Sequence, residues 1–200
     1  MRRVLIVVLA VMCLSIAGCS GRAAESTPQI APTTLTDSQQ EIVDLIVTTG
    51  QEVMFFEYSL GGAFNDMEVW VDVYHYGELV GTLTSLRIFG DVAMPLNDGV
   101  MAITIHNHNR NEFQWAISNR GGRISGASWT AAHEYMARAF GPITEAVPIT
   151  NGEEIILYVS RFTTGSTLRT HGDHQYYLNN PEILAQYTYV HMIKARFLAN

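Results

Sequence analysis

The chain reads as a mainly β protein, an antiparallel β-sandwich of Ig-like or jelly-roll-like character with about six to eight strands and one or two short helices. Three observations predict this. Apolar residues alternate with period two over much of residues 53–118 and again near 154–162 and 187–197. Turn residues recur between these runs, as at Gly77-Glu78, Asn97-Asp98-Gly99, Asn109-Arg110-Asn111 and Asn151-Gly152. No long helical pattern falls between strands to build parallel βαβ units.

Taken in order, Thr36-Asp37-Ser38-Gln39 has the spacing of a capping box ahead of Ile42, Leu45 and Ile46, which predicts a short helix over 37–48. Val53 to Leu60 is the first strand. Met67, Val69, Val71 and Val73 alternate with Glu68, Trp70, Asp72 and Tyr74, and the chain returns through Leu79 to Phe89 as a hairpin. Val100 to His106 and Glu112 to Ser118 form a second hairpin, with Ile103 and Ile105 facing Phe113, Trp115 and Ile117. Asn119 to Gly126 reads as loop. Ser128 to Phe140 fits either a helix, with Trp129, Ala132, Met136, Ala139 and Phe140 on one face, or an irregular edge. Glu154 to Phe162 is a strand and Thr163 to Asn180 a polar loop. Asn180-Pro181-Glu182 opens a brief helix, and Tyr187 to Phe197 is the last strand.

The N-terminus carries a different signal. Met1-Arg2-Arg3 is a short positive region, Val4 to Ile16 is apolar but for Ser15, and Ala17-Gly18 precede Cys19. The order is that of an export signal, and the apolar run is too short for the roughly 20 residues of a permanent span. Ile16-Ala17-Gly18-Cys19 resembles the bacterial lipobox. That resemblance implies cleavage after Gly18, a diacylglyceryl group on the Cys19 thiol and residence on the outer face of the cell membrane. Several acyl chains make such attachment effectively permanent. Residues 1–18 are then signal peptide, 19–36 a flexible tether reaching about 20–25 Å, and 37–200 a single β-rich domain. The run 67–88 followed by 100–118, a Val- and Trp-rich strand, a Tyr/Gly/Glu turn and a second hairpin ending in Gln-Trp, resembles small β-rich lipoproteins of Gram-positive bacteria, which implies a sandwich without naming an activity.

Removing Arg2 and Arg3 leaves ten basic residues against 19 acidic ones, a formal charge of −9. An acidic chain lacks the electrostatic footprint of a nucleic-acid partner, so the membrane, through lipid on Cys19, is the expected partner. The only other cysteine, Cys13, is lost with the signal, so no disulfide forms.

Of the seven histidines, His106 and His108 sit two apart at a strand end, and His171 and His174 flank Asp173 in one loop. If folding brought the pairs together they would make a zinc or copper site; the plainer reading is solvated loop histidines. His75 and His191 read as packing or surface residues. His133-Glu134 starts like the HExxH helix, but Ala137 stands where the second histidine is needed. No GxSxG elbow or phosphate-binding glycine loop occurs. Glu153 and Glu154 point to opposite faces of a strand. Trp70, Tyr74 and Tyr76 on one strand face, and Tyr176, Tyr177, Tyr187 and Tyr189 near the end, read either as buried or as a surface for peptide or sugar. No catalytic residue and no cofactor is expected. Three functions remain open: a non-enzymatic binding or sensor-accessory module for an unidentified protein or small molecule, a metal-binding lipoprotein, and an enzyme without a legible site.

Overall fold

The computed structural model describes residues 27–47, 51–90, 96–109, 112–119, 122–129 and 137–199. The export signal, Cys19 and His133-Glu134 lie outside the described residues. So do the side chains of His108, Phe113 and Trp129.

Two antiparallel sheets pack face to face. The first has the order β7-β6-β5-β2-β1-β9 and the second β4-β3-β11-β10-β8. In the first sheet the strands are β1 (Gln29–Pro32), β2 (Gln51–Ser59), β5 (Gly99–Asn109), β6 (Glu112–Asn119), β7 (Gly122–Trp129) and β9 (Val147–Pro148). The second sheet is β3 (Asp66–His75), β4 (Glu78–Phe89), β8 (Ala137–Pro142), β10 (Glu154–Thr163) and β11 (Tyr189–Leu198). Helix α1 (Asp37–Ile46), the short α2 (Tyr176–Asn179) and a 3-10 turn (Pro181–Gln186) complete the described elements. The sandwich is as expected; the eleven strands among the described residues exceed the six to eight expected, because β1, β7, β8 and β9 carry no clean period-two signal.

Both expected hairpins form. Tyr76 and Gly77 turn the first with φ of 47° and 85°, the left-handed pair that a two-residue turn demands. A Cβ at Gly77 would also meet the backbone of Ala185 at 2.9 Å. In the second, Ile103 lies opposite Ile117 and Ile105 opposite Trp115. The capping box on α1 is complete, Thr36 accepting from the Gln39 amide and the Gln39 side chain accepting from the Thr36 amide.

Two expectations need correction. The expected tether, 19–36, contains β1: Ile30 is fully buried, and the strand pairs with β2 on one side and β9 on the other. Pro28 and Pro32 flank Ile30 like linker residues, yet proline is tolerated at strand ends, and the domain therefore begins before residue 37. The expected loop 119–126 is instead the start of β7, paired with β6 from Asn119–Gly122 onward. Its Gly126 has a packing reason: a Cβ there would lie 2.6 Å from Trp115 Cζ2. At the described ends of 128–140, left open between helix and irregular edge, the chain is strand up to Trp129 and again from Ala137, and 130–136 lie outside the described residues.

The main core lies between the sheets, with Ile30, Phe56, Leu60, Phe64, Ile143, Ile149 and Phe197 at one end. A second cluster sits on the outer face of the second sheet, where Tyr177, Leu184 and Tyr187 from the 164–188 segment cover Ile156, Val159, Val190 and Met192. Gln175 fastens that segment by accepting from the Ile156 amide at 3.0 Å and donating to its carbonyl at 2.8 Å. Arg161 donates to Tyr177 at 2.7 Å, and Tyr187 donates to the Arg169 carbonyl at 2.7 Å. Burial and the neighbouring Tyr177 push the Tyr187 phenol up.

Candidate functional site

Directly opposed residues in an antiparallel sheet share a face, so the registers show what lines the inter-sheet space at the end away from Phe197. Val73, His191, Ser160 and Phe140 form one row across the second sheet. His75, Tyr189, Phe162 and Arg138 form the next. A register shift between Ile156 and Tyr158 makes Leu157 an extra residue, and both Leu157 and Tyr158 join the inter-sheet core. The first sheet answers with the row Glu52, Ile105, Trp115 and Gly126. This end therefore collects a carboxylate, a phenol, a hydroxyl, an imidazole and a guanidinium from β2, β10, β11 and β8.

The environments of these groups are perturbed in different directions. Burial raises the Glu52 carboxyl above its ordinary value, and the charge of Arg138 opposes that rise. Burial also pushes the Tyr158 phenol far up; the Glu52 charge adds to the effect, while the Ser160 hydroxyl and the Arg138 charge act against it. His191 is wholly buried, its ring edge-on to Phe162 with centroids 5.6 Å apart, and burial pushes its pKa down to about 3. Among the described residues, the rim is formed by half-buried His75 and Tyr189, whose rings stack at 4.5 Å, and by exposed Arg138 and Phe140, whose guanidinium and ring lie 5.0 Å apart. At neutral pH this end thus holds a neutral imidazole and a protonated phenol beside a carboxyl and a guanidinium.

The outer face of the second sheet carries a different polar group. Buried Lys194 lies 2.9 Å from Asp72 and 3.0 Å from Glu154, and donates to Tyr74 at 3.1 Å. Burial alone would lower the Lys194 ammonium, but these partners carry it above its ordinary value. Arg196 lies 2.7 Å from Glu68 and 5.4 Å from the Trp70 ring centroid. Trp70 is buried and Tyr74 half-buried, so burial describes this face of the hairpin, while Tyr76 at its turn is exposed. A groove of about 540 Å³ runs over these residues, but the charges facing it are already paired.

Of the four histidines expected at a metal, His106, His171 and His174 do not gather at one centre, and the side chain of His108 lies outside the described residues. His106 follows inward-facing Ile105, so it lies on the outer face of the first sheet, where Gln51 Nε2 is 3.3 Å from its Nδ1. A register shift between His106 and Asn109 interrupts the regular spacing assumed for His106 and His108. His171 stacks on Tyr176 with centroids 4.5 Å apart, and His174 donates from Nε2 to the Gly141 carbonyl at 2.8 Å, at the edge of the other sheet. Burial lowers the His174 pKa. Among the described residues no three His, Cys, Asp or Glu side chains gather where they could hold one ion.

Sequence reading missed Glu52, Arg138, Tyr158 and Ser160 and placed His191 among packing residues. One signal was present: Tyr158, Ser160 and Phe162 alternate with a hydroxyl in the middle. The extra residue at Leu157 shifts the alternation, so which face it lined was not legible.

Residues 29–195 match the YgaN domain, a span that opens on the first residue of β1 and ends within β11, and the chain belongs to that family. No curated protein and no solved structure matches the chain.

Proposed function

We propose that this YgaN-domain protein is a lipid-anchored, extracytoplasmic, non-enzymatic binding module that takes a small polar ligand at the inter-sheet end lined by Glu52, Arg138, Tyr158, Ser160 and His191. The anchoring part rests on Ile16-Ala17-Gly18-Cys19 and the signal before it. The binding part rests on one observation, the gathering of perturbed titratable groups inside a sandwich whose other end is apolar.

The shifts of His191 and Tyr158 favour binding over acid–base work by those two groups, while the raised Glu52 carboxyl moves towards neutrality. A general base works best with a pKa near the ambient pH. His191 is moved down to about 3 and Tyr158 upward, so neither approaches neutrality from the useful side. Both are instead fixed hydrogen-bonding groups, and Arg138 adds a cation for a carboxylate-bearing ligand.

A thermal-shift panel of free amino acids, monosaccharides and short dicarboxylates tests this. A saturable stabilisation that is lost in both Glu52→Gln and Tyr158→Phe is expected. Stabilisation that both variants retain, or none across the panel, counts against the site.

A further inference from the structure

Helix α1 joins neither sheet and neither core cluster. None of its residues is buried, and Ile42, Leu45 and Ile46 are 60%, 81% and 69% exposed. The half-buried residues Val43 and Val47 mark the side turned towards the body. At 3.6 residues per turn, Ile42, Leu45 and Ile46 fall within an arc of about 100° on another side. Asp37, Glu41 and Asp44 cluster within about 60° away from that arc. Three large apolar side chains in one exposed stripe, with the acids kept apart from them, is the pattern of a helix lying at an interface.

We infer that α1 lies in the membrane surface, its Ile42/Leu45/Ile46 stripe inserted at the boundary between headgroups and acyl chains. This rests on the anchor reading for Cys19. Eight residue steps lead from Cys19 to Thr27, where the described chain begins, and they span at most about 26–29 Å. From Gln29 to Pro32 β1 rises only about 10 Å, and α1 starts five residues later at Asp37. A lipid on Cys19 therefore keeps the helix close to the bilayer, and a contact too weak to hold a free protein becomes an intramolecular one. The formal charge of −9 after signal removal gives no attraction to anionic headgroups. The contact is apolar, so it is insensitive to salt.

The mature chain has no cysteine besides Cys19, so a single new thiol can be labelled. Leu45→Cys and Glu41→Cys, each carrying an environment-sensitive dye, are compared in the lipidated full chain on phosphatidylcholine vesicles containing a lipid-borne quencher. The dye at Leu45→Cys is expected to shift to the blue and to lose emission to the quencher at low and high salt, while that at Glu41→Cys does neither. Mass spectrometry of the same sample reports on Cys19. A lipidated Cys19 with both dyes equally exposed overturns the helix inference and leaves the anchor standing. A Cys19 without lipid overturns the anchor reading and this one with it. Shielding of the Leu45→Cys dye without vesicles, rising with protein concentration, overturns the inference in favour of a second copy of the chain.

Discussion

The two ends of the inter-sheet space share β2 and β11 and differ in what those strands and their neighbours turn inward. At one end β1, β2 and β11 contribute Ile30, Phe56 and Phe197, with Leu60, Phe64, Ile143 and Ile149 from the segments around them. The Tyr58 and Phe64 rings meet Phe197 at 5.9 and 6.1 Å. At the other end β2, β10, β11 and β8 contribute Glu52, Tyr158, Ser160, His191 and Arg138. Burying polar groups costs free energy that an apolar end would not incur. A fold that closes one end with hydrocarbon had the means to close both. The difference teaches that the same sandwich buries hydrocarbon alone at the Phe197 end and buries polar groups among hydrocarbon at the Tyr158 end.

Substitutions can break that contrast, beginning with the largest expected effect. Phe197→Ala removes a fully buried ring from the apolar end and should cost about 3–5 kcal/mol in urea unfolding, without altering ligand response at the other end. Next is the dependence on acid. The His191 pKa is about 3 in the fold against 6.5 in the unfolded chain, so between those values the unfolded state binds the additional proton. Stability therefore falls as the pH drops below 6.5, by up to about 1.4 kcal/mol per pH unit. His174 is also lowered and acts in the same sense, whereas the raised Glu52 acts in the opposite sense below its folded pKa. Unfolding of His191→Leu across pH 7 to 5 should show a flatter slope than the parent; an unchanged slope would place the acid sensitivity elsewhere.

Smaller effects sharpen the comparison. Tyr158→Phe removes one hydroxyl from a fully buried ring and should change stability by about 1 kcal/mol, far less than Phe197→Ala, while abolishing ligand stabilisation. Glu52→Gln removes a half-buried charge whose protonation burial already favours. It should alter stability by no more than about 0.5 kcal/mol at pH 7, in the stabilising direction, and still lose ligand. Calorimetric unfolding of both variants alongside the ligand panel separates a site from a packing cluster.

The contrast also explains what could be read in advance. The Met67–Phe89 and Val100–Ser118 hairpins were legible because their alternation is clear and their turns carry glycine or asparagine. The α1 cap was legible because its bonds are local. β1 was not, since a four-residue strand between prolines is held by its partners β2 and β9 and not by its own composition. β7 was not, since Gly126 is there to admit the Trp115 ring, a contact between strands. The polar end assembles residues 52, 138, 158, 160 and 191, which no local spacing links, and the register shift beside Tyr158 turns it to the same side as Leu157. The histidine pairs show the complementary limit: regular spacing shows which residues share a strand or loop, not which strands or loops meet.

Everything proposed for function places this domain at a membrane through Cys19, and a fatty-acid probe tests that most directly. Cells fed an alkyne-bearing palmitate should yield labelled protein in the membrane fraction, and Cys19→Ala should lose both the label and the membrane association. Labelling and fractionation that survive Cys19→Ala, or a parent chain that is unlabelled and free of the membrane, would contradict the anchor.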